Sequence, residues 1–259
     1  MEYLLTIDVG NSNTKFGLFF GSSLSKVWSV DSGRIHERSQ MMQRVTELLA
    51  DEIQKIHHVI ICSVVEEITD ALLQVFQDKY QLLPHVIGKN ITCPLEIHPS
   101  CDEQIGADRL ILGYGASQIY GYPCIVVGCG TATTFTVIDG NGVFIGGAIL
   151  PGFKTSLQPM QTNISQLHTI ELSKPLNIIG TNTVDALNAG LYYGFIGQVE
   201  GVLNRIKKEI SLPFKVIWTG GLSSMIFSEF RDESYIHHPN LVLDGLRLLW
   251  EKNSQALAK

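Results

Sequence analysis

This chain has no run of Lys or Arg longer than the pair Lys207-Lys208, and its formal net charge is −6. A basic footprint for nucleic acid or for an anionic membrane is therefore missing, and neither partner is expected. No apolar stretch approaches the roughly 20 residues that a membrane-spanning helix needs. The first residues carry neither a basic start nor a small-residue cleavage site. They run directly into the strand-like Tyr3-Leu4-Leu5-Thr6-Ile7, so a secretory signal is not expected. The five Cys (62, 93, 101, 124, 129) are odd in number and contain no C-x-x-C. Reduced thiols in a cytoplasmic protein are the simplest reading, and a zinc site is not expected. The pairs His57-His58 and His237-His238 lack metal spacing. Ser and Cys lack convincing triad partners, which argues against nucleophilic hydrolysis.

What the chain does have is length and apolar content. With 259 residues, 45% of them hydrophobic, it can bury a substantial core in one large or two modest domains. Residues 7–15 read Ile-Asp-Val-Gly-Asn-Ser-Asn-Thr-Lys, and residues 127–135 read Val-Gly-Cys-Gly-Thr-Ala-Thr-Thr-Phe. Each segment leaves an apolar strand, makes a tight polar turn and re-enters a strand. Turns rich in Gly and in small hydroxyl or amide residues cluster backbone N–H groups with little bulk, as a polyphosphate requires.

The pattern around each turn repeats. In the first half, strands are predicted at 3–8, 14–20 and 25–30, a helix at about 36–55, a strand at 59–62, a helix at 66–79 and a strand at 84–88. In the second half, strands are predicted at 123–128, 133–138 and 143–149, and helices at 153–167 and 181–210. A strand at 215–218, a helix after Gly221, a strand at 235–237 and a helix at 241–256 complete it. The period is too long for a solenoid, so the repetition predicts two α/β domains, 1–115 and 116–259.

Several residues fit phosphoryl-transfer chemistry. Asp8 ends an apolar strand and can hold magnesium directly or through water. Asn11, Ser12, Asn13 and Thr14 can donate to phosphate, and Lys15 adds a point charge. The alternative use of this segment is a hairpin with an Asx hydrogen bond. Gly106-Ala107-Asp108-Arg109 opens a helix, where Asp108 has a dipole reason to sit. A functional use would make Asp108 a proton acceptor and Arg109 a forked clamp for a carboxylate. Trp218-Thr219-Gly220-Gly221 leaves a strand with room for a flat ligand, or forms a plain strand-to-helix turn. Thr181 or Asn182 caps the long helix. Gly190, Gly194, Gly197 and Gly201 form a smooth stripe on it that suits close packing.

Taken in order, Asp8 to Lys15, Gly106 to Arg109, Gly130-Thr131-Ala132-Thr133-Thr134, Gly146-Gly147-Ala148-Ile149 with Pro151-Gly152, Asn182-Thr183 and Thr219-Gly220-Gly221 resemble the type III pantothenate kinases over essentially the whole chain. The resemblance implies a duplicated two-domain kinase fold, actin-like (ASKHA, ribonuclease H-like). It implies a cytoplasmic homodimer that uses ATP and magnesium to phosphorylate pantothenate in the first step of coenzyme A synthesis. It makes Asp8, Val9, Gly10, Asn11, Ser12, Asn13, Thr14 and Lys15 the first phosphate loop, Thr131 a second ATP contact, and Gly220 and Gly221 part of the adenosine loop. Asp108 matches the catalytic base, Gly106, Ala107 and Arg109 its neighbours in the pantothenate site, and Thr183 a substrate contact.

Two positions depart from the resembled pattern. The substrate-side Tyr often found before Gly-Ala-Asp-Arg is absent from His98-Pro99-Ser100-Cys101. The second loop usually reads Asp-x-Gly-Thr, and its Asp helps bind a monovalent cation, K+ or NH4+; here that position is Gly128. Two rival readings follow: an ATP-binding regulatory homologue without turnover, and a kinase of this fold for another small hydroxyl compound.

Overall fold

A computed structural model describes residues 2–32, 38–101, 104–157, 173–210, 213–230 and 232–257. The chain divides into two compact units, one formed by Met1–Gly121 with Asn240–Lys259 and the other by Tyr122–Pro239. The sequence reading split the chain at 115/116 and gave its last helix to the second domain. The structure puts that helix in the first unit.

The first unit is built on a five-stranded sheet in the order β3-β2-β1-β4-β5. Its strands are β1 (Tyr3–Val9), β2 (Asn13–Phe20), β3 (Ser23–Asp31), β4 (Ile56–Ser63) and β5 (His85–Val86). β1 to β3 form antiparallel pairs, whereas β4 runs parallel to β1 and β5 parallel to β4. Leu4, Leu5, Thr6 and Ile7 on β1 are all buried, as befits a central strand covered on both faces. β3, at the edge, is mostly exposed.

Helix α1 (Arg38–Leu49) is shorter than the stretch predicted at 36–55; residues 36 and 37 lie outside the described residues, and a separate 3-10 turn covers Ile53–Lys55. Helix α2 (Glu66–Tyr80) buries Ile68, Leu72, Val75 and Phe76 and ends on Gln81 in the left-handed region, φ 54°. Helix α3 (Ala107–Tyr120) is the helix opened by Gly106-Ala107-Asp108-Arg109, and it belongs wholly to the first unit. The closing helix belongs with it. An added Cβ on Gly115 would lie 3.0 Å from Gly245 Cα, and one on Gly245 would lie 2.8 Å from the Ile111 carbonyl oxygen. The two helices thus cross at backbone contact, which larger residues would prevent.

The second unit repeats this order with β6 (Cys124–Cys129), β7 (Ala132–Ile138), β8 (Phe144–Pro151), β9 (Lys215–Thr219) and β10 (Tyr235–His237), arranged β10-β9-β6-β7-β8. Three antiparallel strands are again followed by two parallel ones. Of the helix predicted at 153–167, residues 153–157 are helical and 158–167 lie outside the described residues. The long helix α4 (Thr183–Glu209) is capped by Asn182, whose Oδ1 accepts from the Asp185 N–H at 2.9 Å. It buries Ala189, Tyr192, Phe195, Val199 and Leu203, and the last three share a core cluster with sheet residues such as Val127 and Trp218. Helix α5 is short (Ser223–Ile226), and α6 (Leu241–Leu257) is the closing helix of the first unit.

Candidate active site

In the first unit the Asp8 turn and the start of α3 converge. Asp8 lies opposite Lys15 in the β1–β2 hairpin and opposite Cys62 on β4. The turn closes with the Gly10 N–H on the Asn13 carbonyl at 3.0 Å. Gly10 and Asp8 are half-buried, Val9 is buried, and Asn11, Ser12 and Asn13 are exposed at the tip. Thr14 is buried and points away from solvent: its hydroxyl lies 3.0 Å from that of buried Ser32, while the Ser32 N–H donates to the Ser12 carbonyl. Thr14 is thereby a brace of the turn rather than one of its exposed donors.

Electrostatics link these residues to α3. Burial raises the Asp8 carboxyl to about 7; the charge of Asp108 adds to the rise and Lys15 opposes it. Burial likewise pulls Lys15 down, against the attraction of Asp8. Asp8 and Asp108 also help hold the buried Cys62 thiol far above its ordinary range, after the larger effect of burial. Arg109 is lowered by burial and held up by Asp108 and then Cys101. Two carboxylates, an ammonium and a guanidinium thus share one region with their formal charges in balance, but at Asp8 the repulsion from Asp108 outweighs the attraction of Lys15, which favours a cation beside that carboxylate.

Gly106 precedes α3 and Asp108 sits in the first turn. A Cβ at Gly106 would lie 2.5 Å from Asp108 Oδ1, so the absence of a side chain lets the carboxylate fold back over the helix start. Ala107, Asp108 and Arg109 are all half-buried there.

The second unit carries the matching turn. Gly130 N–H donates to the Ala132 carbonyl at 3.0 Å, as Gly10 does to Asn13. The Thr131 side chain is exposed, while its carbonyl accepts from Gly152 N–H at 3.0 Å and from Thr155 Oγ1 at 2.6 Å. A Cβ on Gly152 would meet the Gly130 and Thr131 carbonyl oxygens at 2.3 and 2.4 Å, so only glycine fits. Gly128 pairs with Thr134 on one side and Thr219 on the other. Asp139, eleven residues further on in the far hairpin, is used up locally by the Asn141 and Val143 N–H groups. Gly220 adopts φ +94°, and a Cβ there would stand 2.5 Å from the Cys129 carbonyl oxygen; a Cβ at Gly221 would meet nothing within 4 Å among the described residues. Thr183 is exposed in the first turn of α4, beside an open depression of about 460 Å³ lined by residues 180–183, Ala186 and Leu187.

The sequence profile described as type III pantothenate kinase matches residues 4–205. The chain belongs to the type III pantothenate kinases. The Streptomyces coelicolor type III pantothenate kinase is 40% identical over 266 residues, which takes in 96% of this chain and 98% of that one. A solved structure titled a conserved putative Baf family transcriptional activator, from Campylobacter jejuni, aligns at TM-score 0.60 and 20% identity over 97% of this chain and 99% of the other. MreB5 of Spiroplasma citri, solved with ADP, aligns at 0.55 and 11% identity over 100% and 99%. At such identities these two likenesses speak for the fold, which is actin-like. This type III pantothenate kinase has, among its described residues, no helix long and apolar enough to cross a membrane.

The structure brings Asp8 to Lys15 and Gly106 to Arg109 together in the first unit. Gly128, Thr131, Gly220 and Gly221 meet in the second, and Thr183 stands on the long helix. Sequence reasoning missed Ser32, Cys62 and Gly152 as parts of the turn supports. Gly152 had a signal in its Pro-Gly dipeptide, but the backbone it presses on lies in another strand connection.

Proposed function

We propose that this chain transfers the terminal phosphoryl group of ATP to the terminal hydroxyl of pantothenate, giving 4′-phosphopantothenate. Family membership supports the reaction, and the shared charge region of Asp8, Lys15 and Asp108 is the observation that carries the residue roles. Asp108 accepts the proton of the attacking hydroxyl. Arg109 binds the pantothenate carboxylate, with Gly106 and Ala107 leaving room beside it. The 8–15 turn and Thr131 receive the phosphates, and the Gly220-Gly221 turn receives the adenosine. Thr183 contacts the substrate.

The residues fit magnesium, since Asp8 is an oxygen ligand at which the repulsion from Asp108 outweighs the attraction of Lys15. Asp8 would hold it, directly or through water, and the ion would supply charge neutralisation at the phosphates. Most of the rate enhancement then comes from positioning and charge stabilisation. Position 128 does not fit a carboxylate-bound K+ or NH4+, because glycine brings no side-chain oxygen. The chain works as a cytoplasmic homodimer in this reading. The dimer is supported by the glycine stripe of α4: among the described residues, a Cβ on Gly190, Gly194 or Gly197 would meet nothing within 4 Å, a smooth face that suits a second copy.

The test is product identification after incubation with ATP, magnesium and pantothenate, with Asp108→Asn alongside. The expected product is phosphopantothenate with ADP, and the variant should lose about 10²–10⁴-fold in turnover while still binding ATP. Near-normal turnover by a folded Asp108→Asn would remove the base assignment. ADP formed only with a different hydroxyl compound would reassign the acceptor.

A further inference from the structure

The turn at 219–221 is held from behind by two side chains outside every motif. Ser223 is fully buried; its hydroxyl donates to the Gly220 carbonyl at 2.7 Å, and its backbone N–H reaches the same oxygen at 3.1 Å. A hydroxyl has one hydrogen, so the second contact of Ser223 Oγ, 3.0 Å from His237 Nε2, makes the imidazole the donor. His237 lies on β10 opposite Trp218, the residue on β9 just before the turn. Its ring stacks on Phe227 with centroids 4.9 Å apart and planes 19° apart. Burial, with a smaller push from His238, keeps His237 below the ordinary imidazole range. A neutral ring with its hydrogen on Nε2 satisfies the arrangement.

What this pair fixes is a close contact. Gly220 leans on the Cys129 carbonyl, where not even a Cβ fits, and the Leu222 N–H donates to that carbonyl at 3.1 Å. Cys129 ends the strand that leads into the Gly130-Thr131 turn. Any movement of Gly220 is therefore felt at the start of the second phosphate turn.

We infer that His237 is a positioning residue for ATP: through Ser223 it sets the seat of Gly220 and so the surface that receives the nucleoside. This rests on the reading of the 219–221 turn as the adenosine turn. His237→Phe keeps a ring to stack on Phe227 and removes the donor, whereas His237→Gln retains an N–H at similar reach. Ser223→Ala removes the link from the other end.

The experiment measures ATP affinity by calorimetry, steady-state kinetics for both substrates, and thermal unfolding to verify folding. His237→Phe and Ser223→Ala should each weaken ATP binding about three- to tenfold, the worth of one hydrogen bond. KM for ATP should rise in step, with kcat and KM for pantothenate within about twofold of the parent. His237→Gln should recover most of the loss, and the double variant should bind about as well as Ser223→Ala alone. If His237→Phe does not fold, Ser223→Ala carries the same comparison. Unchanged ATP affinity in the folded variants, or an equal rise in both KM values, overturns the inference while leaving the kinase reading intact. If the parent chain itself binds no ATP, the adenosine-turn reading fails first and the inference falls with it.

Discussion

Gly106 stands so close to Asp108 that a single methyl group on it would lie 2.5 Å from the carboxylate oxygen Oδ1. The atom in the way is the far end of a flexible side chain, so the chain can relieve the clash by turning Asp108 aside. Gly106→Ala should therefore fold almost normally and lose activity, because the carboxylate no longer occupies its place at the helix start. We expect a drop of at least about tenfold in kcat/KM for pantothenate, since displacing a general base forfeits part of its 10²–10⁴-fold effect. Activity equal to the parent would show that the Asp108 rotamer does not matter.

Asp8 gives a pH prediction for the chain free of magnesium and nucleotide. Its carboxyl is raised from 3.8 to about 7. The folded chain thus holds this proton more tightly than the unfolded one, and ionisation costs stability. The cost is absent below about pH 4, grows between pH 4 and 7, and is complete above pH 7. Asp8→Asn cannot ionise and escapes it. Its urea midpoint should exceed the parent's at pH 8, with the difference shrinking through pH 7 and gone near pH 4. Equal midpoints at pH 8 would contradict the raised value.

At position 128 the prediction concerns salt. Without a carboxylate, a monovalent cation has one less formal negative charge to bind. The parent should respond weakly to potassium or need it at high concentration, and Gly128→Asp should shift half-activation to lower potassium. A titration of activity against potassium chloride at constant ionic strength checks this. Tight half-activation in the parent, unchanged by Gly128→Asp, would reject the argument. Magnesium dependence should be the same in both forms.

Light scattering tests the α4 face. At micromolar concentration the parent should have twice the 28.6 kDa chain mass. Gly194→Leu fills the open side of the stripe with a bulky group and should shift the mass toward one chain without lowering the monomer's helix content. A parent that is monomeric, or a variant that remains fully dimeric, separates the stripe from assembly.

The duplicated strand order was legible because each strand signal is local: apolar runs bounded by Gly, Asn and Asp turns. Asp8, Lys15 and their turn were legible for the same reason. The cross-chain supports were not. Cys62 lies beside Asp8 only because β4 runs parallel to β1, and no local pattern states that register. Ser223 and His237 are separated by a helix, a 3-10 turn and a loop, so their contact leaves no trace in spacing. Helix α6 was predicted as a helix, but its apolar spacing does not state which sheet it covers. Its place is decided by Gly245 meeting Gly115, a match visible only in three dimensions.

That same crossing of α3 and α6 bears on the order in which the protein is made. The second unit, Tyr122–Pro239, is one continuous stretch and can fold as soon as it leaves the ribosome. The first unit begins earlier but must wait, because Leu243, Leu246 and Leu249 complete its interior and are translated more than 100 residues after α3. Until α6 arrives, the backbone groove at Ile111 and Gly115 lies open. The unit that carries Asp8 and Asp108 is therefore expected to be completed last, after the α6 residues that close its interior have been translated.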